Sequence, residues 1–361
     1  MSDTYKAIVC HEYGQPLTIN EYELPNPVSG TVVVKVLSAS IIKRIKELIA
    51  VKDPIFNTPL PFVPGNYGIG RIHSVGAGSH LKPGQLVYLD SVVFSRETQA
   101  ELIIKGSFGG ATPASKELAK LKYKRDGYLQ QYALVDIDNC YPINEAFVGE
   151  HSIHHLNNLA FALVPYAGLR SVGLKAGETV IIAPSTGKFS GAAVAVASAM
   201  GATVIAVGRN QQVLKRLENN LPNVHPVTLT GDKDTDAAAL AKFGPANVFL
   251  DLNPSGVPSN PYFESCLNAL AYEGRVVIQG NLSQPLTISP FNFRFKNLTV
   301  RSKTMYTRDE AKDLIRLAES GALKYWAMHR IQQFAFEEFE KAFSAAETAT
   351  SWDDLVVLDL A

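Results

Sequence analysis

The sequence predicts an α/β protein in two parts: a small, irregular antiparallel β-barrel and a doubly wound parallel sheet. Three observations predict it. The first 150 residues are dense in Gly and Pro between short apolar runs. From about residue 158, apolar strand-like runs alternate with helix-like ones. Between the first such strand and its helix stands "APSTGKFSGAA", residues 183–193, a turn of small residues where a phosphate-binding loop belongs.

The elements follow in order. "YKAIVCHEYG" and "GTVVVKVLSAS" are rich in β-branched residues and read as strands, and "KRIKELIAV" as a short helix. The stretch from "PFVPGNYGIGR" to "LVYLD" breaks into short strands at its turns. Residues 92–126 are polar and long, and are expected to form an exposed excursion near the barrel mouth. "LAFALVPYAGLRSVGL" is apolar on most sides and predicts a buried helix. Strands "ETVIIAP", "ATVIAVG", "HPVTLTG", "ANVFLDL", "RVVIQG" and "NLTVRSK" then follow. The first four alternate with helices "SGAAVAVASAMG", "QVLKRLENN", "DTDAAALAKFG" and "FESCLNALAYEG". Continuous apolar strands joined by helices imply a parallel sheet covered on both faces. The tail opens with a capping box, Thr307 and Glu310. Its last strand, "DLVVLDL", breaks the alternation and is expected to return to the first part. The expected domains are 1–157, completed by 303–361, and 158–302.

The chain has 361 residues, enough for two domains, with 34 Lys plus Arg against 34 Asp plus Glu. Zero net charge gives no argument for nucleic acid or an anionic membrane. No run reaches the ~20 apolar residues of a membrane span, and the N-terminus lacks a signal-peptide pattern. Three cysteines far apart, Cys10, Cys140 and Cys266, read as buried thiols of an intracellular, cytoplasmic protein. The cluster "HSIHH", with His151, His154 and His155, has no further ligands near it in sequence and reads as a polar helix start; His73 and His80 read as surface or barrel residues.

In a doubly wound sheet the ligand lies at the carboxyl ends of the strands. A helix N-terminus there offers free N–H groups and the positive end of the helix dipole, which suit a pyrophosphate. Gly187 lets backbone and anion approach closely. Ser185 and Ser190 replace the outer glycines of a G-x-G-x-x-G pattern, Thr186 or Ser190 has a hydroxyl for phosphate, and Lys188 adds a charge next to Phe189. The second strand ends in Gly208, Arg209 and Asn210, where an acidic residue would select NAD. Arginine binds a ribose 2′-phosphate instead, so the expected cofactor is NADPH/NADP⁺.

The order of these parts, with "VPGNYGIGR", "PYAGL", "APSTGKFSGAA" and "VGRN", resembles the medium-chain dehydrogenase/reductase superfamily over nearly the whole chain. The likeness is greatest to a zinc-independent, quinone-oxidoreductase- and enoyl-reductase-like, fungal-type subgroup. "MYTRDEAKDLIRLAESG" is also similar to that subgroup's segment after the last strand, whereas Ser190 departs from its glycine. The resemblance implies a GroES-like β-barrel catalytic domain and a Rossmann domain. It also implies cofactor contacts at Pro165, beside Tyr166, and at Asn253, Gly280, Met305 and Tyr306, and a homodimer through the edge strand "NLTVRSK", whose Lys and Arg could equally block that pairing.

Many members of the superfamily hold a catalytic zinc with Cys, His and Cys. By resemblance these positions fall near Ile42, at Asn66 and near Ala160, which make no zinc site. Zinc-free members tend to reduce quinones or alkenes conjugated to a carbonyl. The candidate hydrogen-bond donors are Tyr67, Tyr88 and Tyr128, with Ser40, Lys43 and Ser91 behind them. Carbonyl reduction, redox-silent isomerisation or cyclisation, and a binding protein without turnover are the alternatives.

Overall fold

The computed structural model describes residues 3–53, 57–254, 260–280, 286 and 288–361, the side chain of Asn292 excepted. It divides into two compact units. The first runs to Ala160 and includes His329–Thr350 and Asp354–Ala361; the second comprises Phe161–Met328 and Ser351–Asp353.

The first unit is built on one long strand, Thr31–Ser40, whose alternating Val32, Val34 and Val36 enter the core. It pairs antiparallel with three others: Gly68–Val75, Tyr132–Asp136 and Asp354–Asp359. Two register shifts, at Val33/Val34 and Val36/Ser38, bend it so that it can serve all three. Leu86–Leu89, Cys140–Pro142 and Arg330–Ala335 complete a seven-stranded sheet, and the last strand does return here as expected. Residues 92–126 are more ordered than an exposed excursion. They form a hairpin, Val92–Phe94 with Leu102–Ile104, and a helix, Pro113–Lys120, capped by Thr112 and Ser115. Ile103 and Ala119 are fully buried, and ion pairs Lys124–Asp136 (2.7 Å) and Arg125–Asp126 (3.1 Å) lie against the fold with little exposure.

The second unit holds a parallel sheet in the spatial order Val224–Thr228, Thr203–Gly208, Thr179–Ala183, Ala246–Asp251, Leu270–Ile278, Thr299–Ser302. Counted along the chain this is 3-2-1-4-5-6, with the switch point between the first and fourth strands. Ile181, Ile182, Val204 to Val207 and Phe249 are fully buried, as a sheet covered on both faces requires. Thr299–Ser302 is the largely exposed edge.

Two expectations change. "FESCLNALAYEG" is not one helix: the helix ends at Asn268, and Leu270 already pairs with Ala246. Before Val248 meets Arg275 the ladder shifts register, with Glu273 at φ 60°, so the neighbouring strand overrides local helix preference. Residues 303–328, including the Thr307-capped helix Arg308–Glu319, lie in the second unit, as do Ser351–Asp353. Among the described residues no helix is long and apolar enough to cross a membrane.

Candidate functional site

In the second unit, helix Lys188–Ala199 starts at Gly187, directly after the first strand. Ser190 folds back on that start: its Oγ accepts from Gly187 N–H at 3.0 Å, and Gly191 N–H bonds Gly187 O at 2.7 Å. Ser190 therefore caps the helix start from one side only, its hydroxyl satisfying Gly187 N–H, which explains a serine where glycine was expected. The N–H groups of Phe189 and Ser190 have no acceptor among the described residues. The carbonyls nearby are spent: Thr186 O accepts from Trp352 N at 3.2 Å, and Lys188 O from the Tyr325 hydroxyl at 3.2 Å. The turn thus offers donors to a phosphate while its acceptors are engaged elsewhere.

Ser185 spends its side chain inside the fold. It is fully buried, and its hydroxyl donates to Ile182 O at 2.6 Å. Lys188 Nζ stands 5.8 Å from the Phe161 ring centroid, and Phe189 meets the same ring edge-on at 5.3 Å. Gly208 touches the turn: a Cβ there would come within 2.9 Å of Thr186 Cγ2. Arg209 is exposed and makes no ion pair or hydrogen bond with any described residue. Asn210 is a helix cap, its Oδ1 accepting from Val213 N–H at 3.2 Å, so it shapes the turn that carries Arg209.

The fourth and fifth strands end side by side. A Cβ on Gly280 would lie 2.4 Å from Asn253 N, so only glycine allows this approach. Asn253 is held by the Tyr262 hydroxyl (3.1 Å). Asp251 is fully buried; Oδ1 accepts from Asn260 (2.9 Å) and Oδ2 has no partner among the described residues. Burial lifts its pKa to about 6, against a smaller lowering by the Asn260 hydrogen bond. Gln279 donates to Val164 O (2.8 Å) and Lys303 O (3.2 Å), joining this end to the helix that contains Pro165. Pro165 is buried there, and the Tyr166 hydroxyl accepts from Arg170 at 3.2 Å. Met305 has φ 51°, an uncommon conformation for a residue with a side chain, and Tyr306 beside it is buried.

In the first unit the three tyrosines come together with Asp90 but are not equivalent. Tyr128 is fully buried in the core, and its hydroxyl donates to Asp90 O at 2.6 Å. Its proton is engaged by that carbonyl in this structure. Tyr88 is also fully buried, on a central strand, with no hydroxyl partner among the described residues and no surface for a substrate; it too is a packing residue. Tyr67 retains 8% exposure. Burial, and then the charge of Asp90, push its phenol far above the ordinary range. It stays a neutral donor across all physiological pH. The Ser40 hydroxyl is buried and lacks a described partner, the buried Ser91 side chain faces the Tyr67 phenol as a hydrogen-bonding neighbour, and Lys43 is exposed beside Glu47 (3.9 Å). Of the histidines, His154 is buried and bonded to Ser38 Oγ at 2.8 Å, a structural contact.

The residues at the three expected zinc positions do not fit that ion. Ile42 and Ala160 carry no donor atom. Asn66 Nδ2 donates to Lys105 O (2.9 Å) and Ser107 Oγ (2.6 Å), so its amide fastens the barrel turn to the excursion. No group of three or more His, Cys, Asp or Glu among the described residues could hold a metal.

Residues 28–145 match the family described as Alcohol dehydrogenase GroES-like domain, and residues 190–320 the one described as Zinc-binding dehydrogenase. The two occur in chain order, one in each unit. The chain belongs to the medium-chain dehydrogenase/reductase superfamily. The superfamily consists of nicotinamide-dinucleotide-dependent oxidoreductases. An alcohol dehydrogenase of Moraxella sp. (strain TAE123) is 28% identical over 324 residues, covering 88% of this chain and 90% of that one. An acryloyl-coenzyme A reductase of Metallosphaera sedula is 24% identical over 330 residues, with the same coverage. Among solved structures, a Sinorhizobium meliloti 1021 dehydrogenase bound to NADP aligns with TM-score 0.77 at 20% identity, covering 99% of both chains. An E. coli CFT073 protein described as a short chain alcohol dehydrogenase, complexed with NADH, aligns with TM-score 0.78 at 20% identity over 99% of both. At these identities the structural matches show the superfamily's fold alone.

Several residues of the site escape a reading by sequence. Gly191 had a local signal, a glycine one turn into a helix of small residues. Asp251 had one too, a carboxylate ending an apolar strand. Trp352 and Gln279 had none, because both act on segments distant in sequence. The commitment of Tyr128 is testable. Tyr128→Phe is expected to cost about 1 kcal/mol of stability, read as a lowered denaturant midpoint, and to leave kcat within about twofold. A loss of kcat above tenfold with unchanged stability would return it to the chemistry.

Proposed function

We propose that the chain is a zinc-independent, NADPH-dependent reductase of activated alkenes, enones or quinones. Arg209 carries the cofactor reading. It is an exposed guanidinium at the end of the second strand, without an ion pair among the described residues and without the carboxylate that would select a free 2′-hydroxyl. The unspent N–H groups of Phe189 and Ser190 suit the pyrophosphate.

Bound NADPH would supply the hydride for the substrate's β-carbon or quinone ring. The protein's part is to receive the negative charge that moves to the carbonyl oxygen. Tyr67 is the residue assigned to it. Because burial holds its phenol protonated, it donates a hydrogen bond to that oxygen, and water supplies the proton that completes the reduction. The residues at the zinc positions offer no Lewis acid for a saturated alcohol, so an acceptor whose charge is delocalised over an enolate or quinol fits better. The acryloyl-coenzyme A reductase relative supports alkene reduction, and the alcohol dehydrogenase relative supports carbonyl reduction as the second reading.

Two expected outcomes test this. Arg209→Ala should weaken NADPH binding about 10- to 100-fold by calorimetry while changing NADH binding less than about twofold. Equal losses for both, or tighter NADH binding by the unmodified protein, contradict the cofactor reading. Tyr67→Phe should lower kcat for an enone about 100-fold with NADPH affinity unchanged. An unchanged kcat removes Tyr67 from the chemistry.

A further inference from the structure

Residues Ser351–Asp353 form a clip within the second unit. The clip reaches the phosphate turn at three points. Trp352 N–H takes Thr186 O, Ser351 makes a β-bridge with Gly187, and the Trp352 side chain fills the space beside Gly191, where a Cβ would lie 2.1 Å from its own Cβ. Tyr325 backs the clip, its ring centroid 6.3 Å from that of Trp352 and its hydroxyl on Lys188 O.

The other end of the clip is tied to a different element. Arg216 Nε and Nη2 bond Asp353 Oδ2 and Oδ1, both at 2.9 Å, and Nη2 also bonds Ser351 Oγ at 2.9 Å. Ser351 Oγ in turn donates to Asp353 Oδ1 at 2.6 Å. Arg216 lies on helix Gln211–Asn220, which Asn210 caps directly after Arg209. One bidentate ion pair therefore links the turn that offers N–H groups to the helix whose entry carries the exposed Arg209 guanidinium. The planar fork fixes direction as well as distance, which a single charge contact would not.

We infer that the Arg216–Asp353 fork is a positioning device for NADPH: without touching the cofactor, it sets the spacing between its two anion-binding elements. The inference rests on the cofactor reading above. A ligand that spans both elements gains from a fixed spacing, because neither has to be ordered on binding. A ligand that uses only one gains little.

The experiment is isothermal calorimetry with NADPH and with adenosine 2′-monophosphate on the full chain and on Asp353→Asn, Arg216→Lys and the reversed pair Arg216→Asp/Asp353→Arg. Expected are a roughly tenfold weaker Kd for NADPH in the two single variants, less than about twofold for the monophosphate, and partial recovery of NADPH affinity in the reversed pair. Equal weakening of both ligands, or unchanged NADPH affinity, overturns the inference. Arg216→Lys keeps the charge, so it still decides the question if Asp353→Asn fails to fold. No binding of NADPH to the unmodified chain would overturn the cofactor reading and the fork's role with it. Tight binding that the variants leave unchanged overturns the fork alone.

Discussion

The phosphate turn depends on a few backbone N–H groups that have no acceptor among the described residues. Phe189 and Ser190 begin a helix of small residues, and helix geometry denies their N–H groups partners inside it. A carbonyl beside a phosphate would repel it, so the orientation of Thr186 O and Lys188 O matters as much as the donors. Both are drawn away, one by the Trp352 backbone and one by the Tyr325 hydroxyl. Ser190 also satisfies Gly187 N–H, so the turn is rigid without a second glycine. A sequence that looks like an eroded glycine loop is thereby a turn braced by capping and by distant packing.

Close approach is the other recurring constraint. Gly191 admits Trp352, Gly208 admits the Thr186 methyl, Gly280 admits the Asn253 backbone, and Gly168 admits the Gln279 side chain. Each stands where a β-carbon would meet another atom at under 3 Å. They bring strand ends, turn and buried helix together at the carboxyl edge of the sheet, where this fold binds dinucleotides. In the first unit the corresponding economy is polar. Asn66, at one of the expected zinc positions, spends its amide on Lys105 and Ser107. Lys105 is buried and donates to the carbonyls of Tyr123 and Lys124, so the 92–126 segment is part of the barrel wall.

The alternation of strands and helices after residue 158 was legible because continuous Val and Ile runs separated by small-residue helices fit few arrangements other than a covered parallel sheet. The Thr307 cap and the returning last strand were legible for similar local reasons. The exposed position of Arg209 at a strand end was legible too. What could not be read was set by distant partners. "LAYEG" lost its helix to a neighbouring strand, and Tyr128 and Tyr88 went to the core, which only three-dimensional neighbours decide. Ser185, Ser190 and Asn210 lay at the right place, yet each spends its side chain on the fold. Polar residues near a phosphate turn satisfy the turn before they satisfy a ligand.

The most direct measurement is of those donors themselves. In an amide ¹⁵N–¹H spectrum of the labelled protein, saturating NADPH should move the Phe189 and Ser190 signals strongly downfield and leave that of Gly187, already bonded to Ser190, nearly in place. If NADPH binds while the Phe189 and Ser190 amides do not respond, the helix start is not where the phosphates sit, and the account fails at its base.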